Sequence, residues 1–345
     1  MVGARISVII VAHDRRVFLL QAVNSVLNQS LSRELFEVLV IKNFTDKRID
    51  AFLHDNGVKS HLCENIPVGS KYALGATEST NEVLCFLEDD DQYRPDKLEF
   101  VLDKFSSDPD LGYLRHGYIP IGSDGNALFD KNPDINDRME FKPPYTEDKL
   151  VEMLKFRVGD LSSCICMRKS LLSDSINLLN KISAVPDKFF LISSLSDNYK
   201  IYSLGDKMTL YRIHESMSNT FLSPENSLTR EKGYLEASIK DYSEIMKLAG
   251  AQKIKSALQN ILNNNQQIIF LLDGGVVRSL PLQKTICRLM YLRNKFFDKN
   301  NVILALFSAL YMVSPDIASR FYTKIRITFH TRRLANSRNH PDTFA

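Results

Sequence analysis

The sequence predicts an α/β protein built on a doubly wound, mostly parallel, Rossmann-like sheet, followed by a helical C-terminal segment. Three observations carry this reading. Val83–Leu87 is apolar without alternation, the pattern of a strand buried on both faces, Ile6–Val11 is a second strand of the buried type, and Phe36–Ile41 reads as strand two. Amphipathic helical stretches lie between them, so strand and helix alternate as in right-handed crossovers. From Thr229 onward long helical patterns take over, beginning with Tyr234, Ile239, Ile245 and Leu248. This places a domain boundary near residue 228, with 1–228 as the α/β domain and 229–345 as a helical region.

Taken in order, the first strand runs into His13-Asp14-Arg15-Arg16. A helix follows in which Phe18, Ala22 and Val26 form one stripe and Leu19, Val23 and Leu27 the next. After the second strand, Asp46 suits a helix cap and Gly57 its end. His61–Cys63 reads as a weak strand, and Gly69–Ala76 as the start of a helix. Val83–Leu87 is the fourth strand, with Pro95 opening a helix to about Phe105, and Gly112–Tyr118 the fifth. Ile119–Asp148, rich in Gly, Pro, Asn and Asp, reads as a long functional loop. Leu161–Met167 resumes as a strand, Leu171–Leu179 as a helix, Pro186 opens another helix, and Tyr199–Leu204 is a further strand. Met208–Ile213 leads into His214.

The totals narrow the function. With 345 residues and 44% hydrophobic content, the chain can bury a substantial core. A net charge of +3 argues against a nucleic-acid partner. Five cysteines without a regular framework predict buried thiols, and Cys164-x-Cys166 lacks a second pair for zinc. The absence of a signal-peptide pattern and of a membrane-length apolar run predicts a cytoplasmic protein.

The chemistry gathers at Glu88-Asp89-Asp90-Asp91, directly after the fourth strand. An isolated acidic run is a solvated turn, but ligands of open α/β sheets bind beyond the carboxyl ends of the strands. Carboxylates this close repel one another unless solvent or a cation relieves them. The turns after strands one and two, Ala12-His13-Asp14-Arg15 and Lys42-Asn43-Phe44-Thr45, face the same crevice. With Lys71 nearby, the set suits a nucleotide diphosphate held through a divalent cation. No P-loop, dinucleotide fingerprint, calcium loop or hydrolase elbow is present.

Four segments in order then show a resemblance. SVIIVAHDRRVFLLQAVNSVLNQS, FEVLVIKNFTD, FLEDDDQYRPDKLE and LYRIHESMSN resemble the successive motifs of family 2 glycosyltransferases over roughly residues 5–220. The resemblance implies a GT-A fold and inverting transfer of a sugar from a nucleotide-diphosphate-sugar, UDP- or GDP-linked, to an acceptor hydroxyl or lipid phosphate. It implies Asp90 as main metal ligand, assisted by Glu88 or Asp91, with Mg²⁺ or Mn²⁺ as the ion. Asp89 lies near the ribose, His214 completes the metal and diphosphate site, and Arg212 stands beside it. Asp187 takes the place of the acceptor-deprotonating base, with Asp160 the next candidate. Ala12-His13 and Lys42-Asn43 depart from the family's base-binding loops, although Asn43 offers both donor and acceptor to a base edge. Two alternatives stay open: a non-catalytic nucleotide-sugar binder on a degenerate scaffold, and a nucleotidyltransferase.

The resemblance stops before the tail. Val302–Val313 is too short to span a bilayer, and beyond Pro315 basic residues interleave with apolar and aromatic ones. This pattern suits peripheral contact with the cytoplasmic face of a membrane, useful for a glycan or lipid-linked acceptor.

Overall fold

The computed structural model describes residues 5–64, 67–128, 138–196, 198–213, 224–272, 306–307, 309–310 and 313–338. They belong to two compact units, Met1–Ile213 with Glu244–Ile254, and His214–Ser243 with Lys255–Ala345.

The first unit begins with β1 (Ile6–Ala12), α1 (Leu19–Leu27), β2 (Phe36–Lys42), α2 (Lys47–Asp55), β3 (Lys59–Leu62), α3 (Val68–Glu78) and β4 (Val83–Glu88). The four strands are parallel in the order β3-β2-β1-β4, with Ile6 opposite both Phe36 and Val83. Alternation along each strand sends successive residues to opposite faces. Ile6, Val8 and Ile10 share a core with Leu19, Ala22, Val23 and Val26 of α1 and Ile49 and Leu53 of α2. Ile9 faces the opposite way, onto α3, where a methyl group on Gly75 would lie 2.4 Å from Ile9 Cγ2. Both faces are covered, so apolar residues dominate each, and the polar Ser7 is satisfied by donating to Glu37 at 2.6 Å. Asp46 caps α2 by accepting from the N–H groups of Arg48 and Ile49 at 3.1 Å. Gly57, at φ +63°, ends that helix as the sequence predicts.

The second half of the unit is mixed: β5 (Gln92–Tyr93), α4 (Lys97–Ser107), β6 (Leu111–Ile121), β7 (Arg138–Phe141), α5 (Glu147–Lys155), β8 (Ile165–Arg168), α6 (Ile176–Leu179), α7 (Pro186–Ser193) and β9 (Lys200–Arg212). β8 enters antiparallel between β4 and β6, β6 runs parallel to β9, and β5 and β7 pair antiparallel with β9. The α/β class and the mostly parallel sheet are as the sequence predicts. Its details differ where elements are short. The loop expected over Ile119–Asp148 contains β7, which exists through pairing with β9, and the start of α5, capped by Thr146. Ser162–Cys164 is a 3-10 turn ahead of β8, and the helix expected over Leu171–Leu179 begins as 3-10 turns, with α-helix only from Ile176.

The second unit is helical: α8 (Pro224–Ile245), α9 (Lys255–Leu272) and α10 (Pro315–Arg338). Leu271, Ala318 and Tyr322 form its buried cluster. Asn265 bonds Ser238 at 2.9 Å, Ser319 Oγ donates to the Leu271 carbonyl at 2.8 Å, and Arg326 pairs with Glu231. No described helix is long and apolar enough to cross a membrane.

Candidate functional site

The parallel register brings the ends of β1, β2 and β4 to one edge, and the loops leaving them are bonded to each other. Ala12 is the last residue of β1, buried opposite Lys42. Asp14 follows in the left-handed region at φ +57°, a conformation that a short polar residue tolerates when locally bonded. Asn43 supplies those bonds: its Oδ1 accepts from the Asp14 N–H at 2.9 Å, and its Nδ2 donates to Asp14 Oδ1 at 2.8 Å. Lys42 turns the other way, buried against Asp50 at 2.9 Å and the Phe44 carbonyl at 2.9 Å. Lys71, fully buried on α3, meets His13 Nδ1 at 3.0 Å. Burial lowers the proton affinity of both groups, and each cation nearby lowers that of His13 further.

Beyond β4 the chain turns tightly, with the Asp91 N–H on the Glu88 carbonyl at 3.2 Å. Asp89, Asp90 and Asp91 are all buried. Arg15 spans two of them, at 2.6 Å to Asp89 Oδ1 and 2.6 Å to Asp90 Oδ2, and the His13 N–H reaches Asp89 Oδ2 at 3.3 Å. Burial pushes the Asp89 carboxyl up to about 7 against the pull of Arg15. Burial and Asp90 push Asp91 up to about 8, and Glu88 is raised by burial and its three neighbours. Arg212 braces this turn from β9. Its N–H donates to Asp91 Oδ1 at 2.9 Å, and its guanidinium donates to the carbonyls of Asp90 at 2.8 Å, Gly122 at 2.8 Å and Ser123 at 2.9 Å and to Gln21 Oε1 at 2.8 Å.

Asp187 lies at the first turn of α7. It accepts from the Leu161 N–H at 3.3 Å and the Lys188 N–H at 2.9 Å. Leu161 holds φ +65°, a strained conformation for a branched residue. An aromatic cluster sets α7 against β4: Phe190 stacks on Phe86 at 4.2 Å, and Tyr72 of α3 meets both edge-on at 5.2 and 5.3 Å. Burial holds Asp187 above the usual carboxylate range, with Lys188 pulling the other way. Asp160, the other candidate, is bonded to Arg157 at 2.6 Å and to Lys188.

Among the sequence-predicted residues, the structure brings Ala12, His13, Arg15, Asn43, Lys71, Glu88, Asp89, Asp90, Asp91 and Arg212 to the ends of β1, β2 and β4. Asp187 stands on α7, which packs on β4 through the aromatic cluster. His214 lies outside the described residues. Among the described residues no three His, Cys, Asp or Glu side chains converge as a ready metal cage. Two supporting residues escape a sequence reading. Ser163 accepts the Glu88 N–H on its hydroxyl at 3.0 Å and takes Lys97 Nζ at 2.9 Å and the Thr209 hydroxyl at 2.8 Å on its carbonyl. Gln21 anchors Arg212. Ser163 sits inside an apolar run that reads as plain strand, and Gln21 on a helix face that reads as solvent-exposed, so neither carries a signal.

This sheet, with helices on both faces and an antiparallel β8 beside the acidic strand, is the GT-A fold. It is similar to S. aureus TarS 1-349 in complex with UDP-GlcNAc (TM-score 0.54, 17% identity, 98% of this chain and 92% of that one). It is also similar to mannosyltransferase PcManGT from Pyrobaculum calidifontis in complex with GDP-Man and Mn²⁺ (TM-score 0.50, 12% identity, 98% and 88%). The model of glycosyl transferase family 2 matches residues 7–174. An uncharacterized glycosyltransferase of Nostoc sp. is 30% identical over 125 residues, 35% of this chain. The match spans 38% of that relative's length.

Proposed function

We propose that residues 1–228 catalyse inverting transfer of a sugar from a UDP- or GDP-sugar to an acceptor hydroxyl or lipid phosphate, with a divalent cation. The observation that carries this is the acid turn at the end of β4, bonded to the β1 loop and lying inside the residues matched by the family. The donor set is oxygen-rich, which suits Mg²⁺ or Mn²⁺. Mg²⁺ is commonly held by one or two carboxylates plus substrate phosphates, so a three-ligand protein cage is not required. Asp90 would be the main ligand, with Asp91 or Glu88 beside it and His214 completing the set. When bound, the ion neutralises charge growing on the leaving diphosphate.

The chain's own residues do the rest. Asn43 and the Ala12-His13 backbone face the base, Asp89 the ribose, and Arg15 and Lys71 offer positive charge to the diphosphate. Arg212 holds the acid turn in place from beneath. Asp187 takes the proton of the acceptor hydroxyl as that oxygen attacks the anomeric carbon, and the bond from that carbon to the diphosphate breaks. A raised proton affinity suits this role, since a base must hold the proton it removes.

Incubation with a panel of UDP- and GDP-sugars plus Mg²⁺ or Mn²⁺ tests the reading. Release of nucleoside diphosphate from donors of one base is the expected result. Binding without release would leave a non-catalytic nucleotide-sugar binder, and release of pyrophosphate would mean nucleotidyl transfer.

A further inference from the structure

Helix α10 has two unlike faces. Ala318, Ser319 and Tyr322 are buried within the helical unit. Ile317, Phe321 and Ile325 point outward, 57%, 59% and 44% exposed. Their spacing of four stacks them in one row. Val313, just ahead of the helix, is 84% exposed. Scattered apolar side chains on a surface need no explanation, but a contiguous row marks a contact site.

The charges beside the row say what kind of contact. Arg320 and Lys324 are exposed and lie on the same outward side, one turn apart. Residues 315–338 hold six cations, Arg320, Lys324, Arg326, Arg332, Arg333 and Arg338, against one carboxylate, Asp316. A second copy docked through this face by two-fold symmetry would set Arg320 and Lys324 against their own like charges. An anionic lipid surface offers the complement to both features, headgroup charge for the cations and acyl chains for the row. We propose that the Ile317–Phe321–Ile325 face of α10, with Arg320 and Lys324 beside it, docks on an anionic bilayer. The docking uses no residue of the donor site, so it stands or falls apart from the transferase reading.

Flotation of the full chain with vesicles tests it. The chain should float with phosphatidylcholine–phosphatidylglycerol vesicles at low salt, be released by high salt, and stay behind with phosphatidylcholine alone. Ile317→Ser with Phe321→Ser should abolish flotation. Arg320→Gln with Lys324→Gln should weaken partition about thirtyfold, the scale of two basic residues at an anionic surface. Unchanged melting temperatures would show both variants folded, and the charge variant reports even if the apolar one does not fold. No flotation at low salt, or a serine variant that floats like the parent, would overturn the proposal. So would a dimer in sedimentation that the serine variant dissolves, which would assign the face to a second copy.

Discussion

Two acidic regions of the α/β unit are built from the same parts and end in different states. At the end of β4, one guanidinium is shared between Asp89 and Asp90, and burial, joined by repulsion from Asp90, raises Asp89 and Asp91 to about 7 and about 8. At α7, two cations serve two carboxylates unequally. Burial works against the charge of Asp160, yet Lys188 and Arg157 hold it below its usual range. Lys188 Nζ also donates to the Gly159 carbonyl at 2.6 Å and remains 3.9 Å from Asp187. Asp187 therefore relies on two backbone N–H groups and keeps a raised proton affinity. Burial alone does not set what a carboxylate can do; the allocation of nearby cations does. The acid turn is left short of positive charge, which suits a cation or a donor, whereas Asp187 is left basic, which suits proton transfer.

The largest expected effect tests the first region. Asp90→Ala should abolish metal-dependent donor binding in calorimetry while the far-UV spectrum and melting temperature stay close to those of the parent. Donor affinity that still rises with Mg²⁺ or Mn²⁺ in the variant would move the ion elsewhere.

The second region should respond in graded fashion. Asp187→Asn should keep donor binding and lose transfer by roughly 10²–10⁴, the range for a positioned base. Asp160→Asn should cost less. With its partner neutral, Lys188 can turn to Asp187 and lower its proton affinity, so the acid limb of the kcat/KM profile should move down by about one pH unit. An unshifted profile would show that Asp160 does not steer Lys188, and full turnover by Asp187→Asn would exclude it as the base.

The smallest effect is on stability. Asp89 and Asp91 have folded proton affinities above the ordinary 3.8, so the folded state binds more protons than the unfolded chain. Stability then falls as pH rises from about 4 to about 8, and levels off above. Thermal melts without metal should show this decline, and Mg²⁺ or Mn²⁺ should reduce it at pH 8. A flat profile would contradict the picture of an acid turn short of positive charge.

The sequence by itself determined the α/β class, because β1, β2 and β4 are buried on both faces and are therefore dominated by apolar residues. It determined the acid turn as well, since four carboxylates in a row after such a strand have few places to go. Helix starts and ends were legible wherever a local bond decides them, as at Asp46 and Gly57. Only the tertiary structure decided the rest. β5 and β7 are two and four residues long and exist by pairing with β9, which no local pattern encodes. Lys42 and Asn43 are adjacent in sequence, yet strand alternation sends one to Asp50 and the other to Asp14. Ser163 reaches Glu88 because β8 enters beside β4 from 75 residues away in the chain. The choice between Asp160 and Asp187 is of the same kind. Both are helix- or turn-associated aspartates near a lysine, and the folded distance from Lys188, not the sequence spacing, separates the neutralised acid from the basic one.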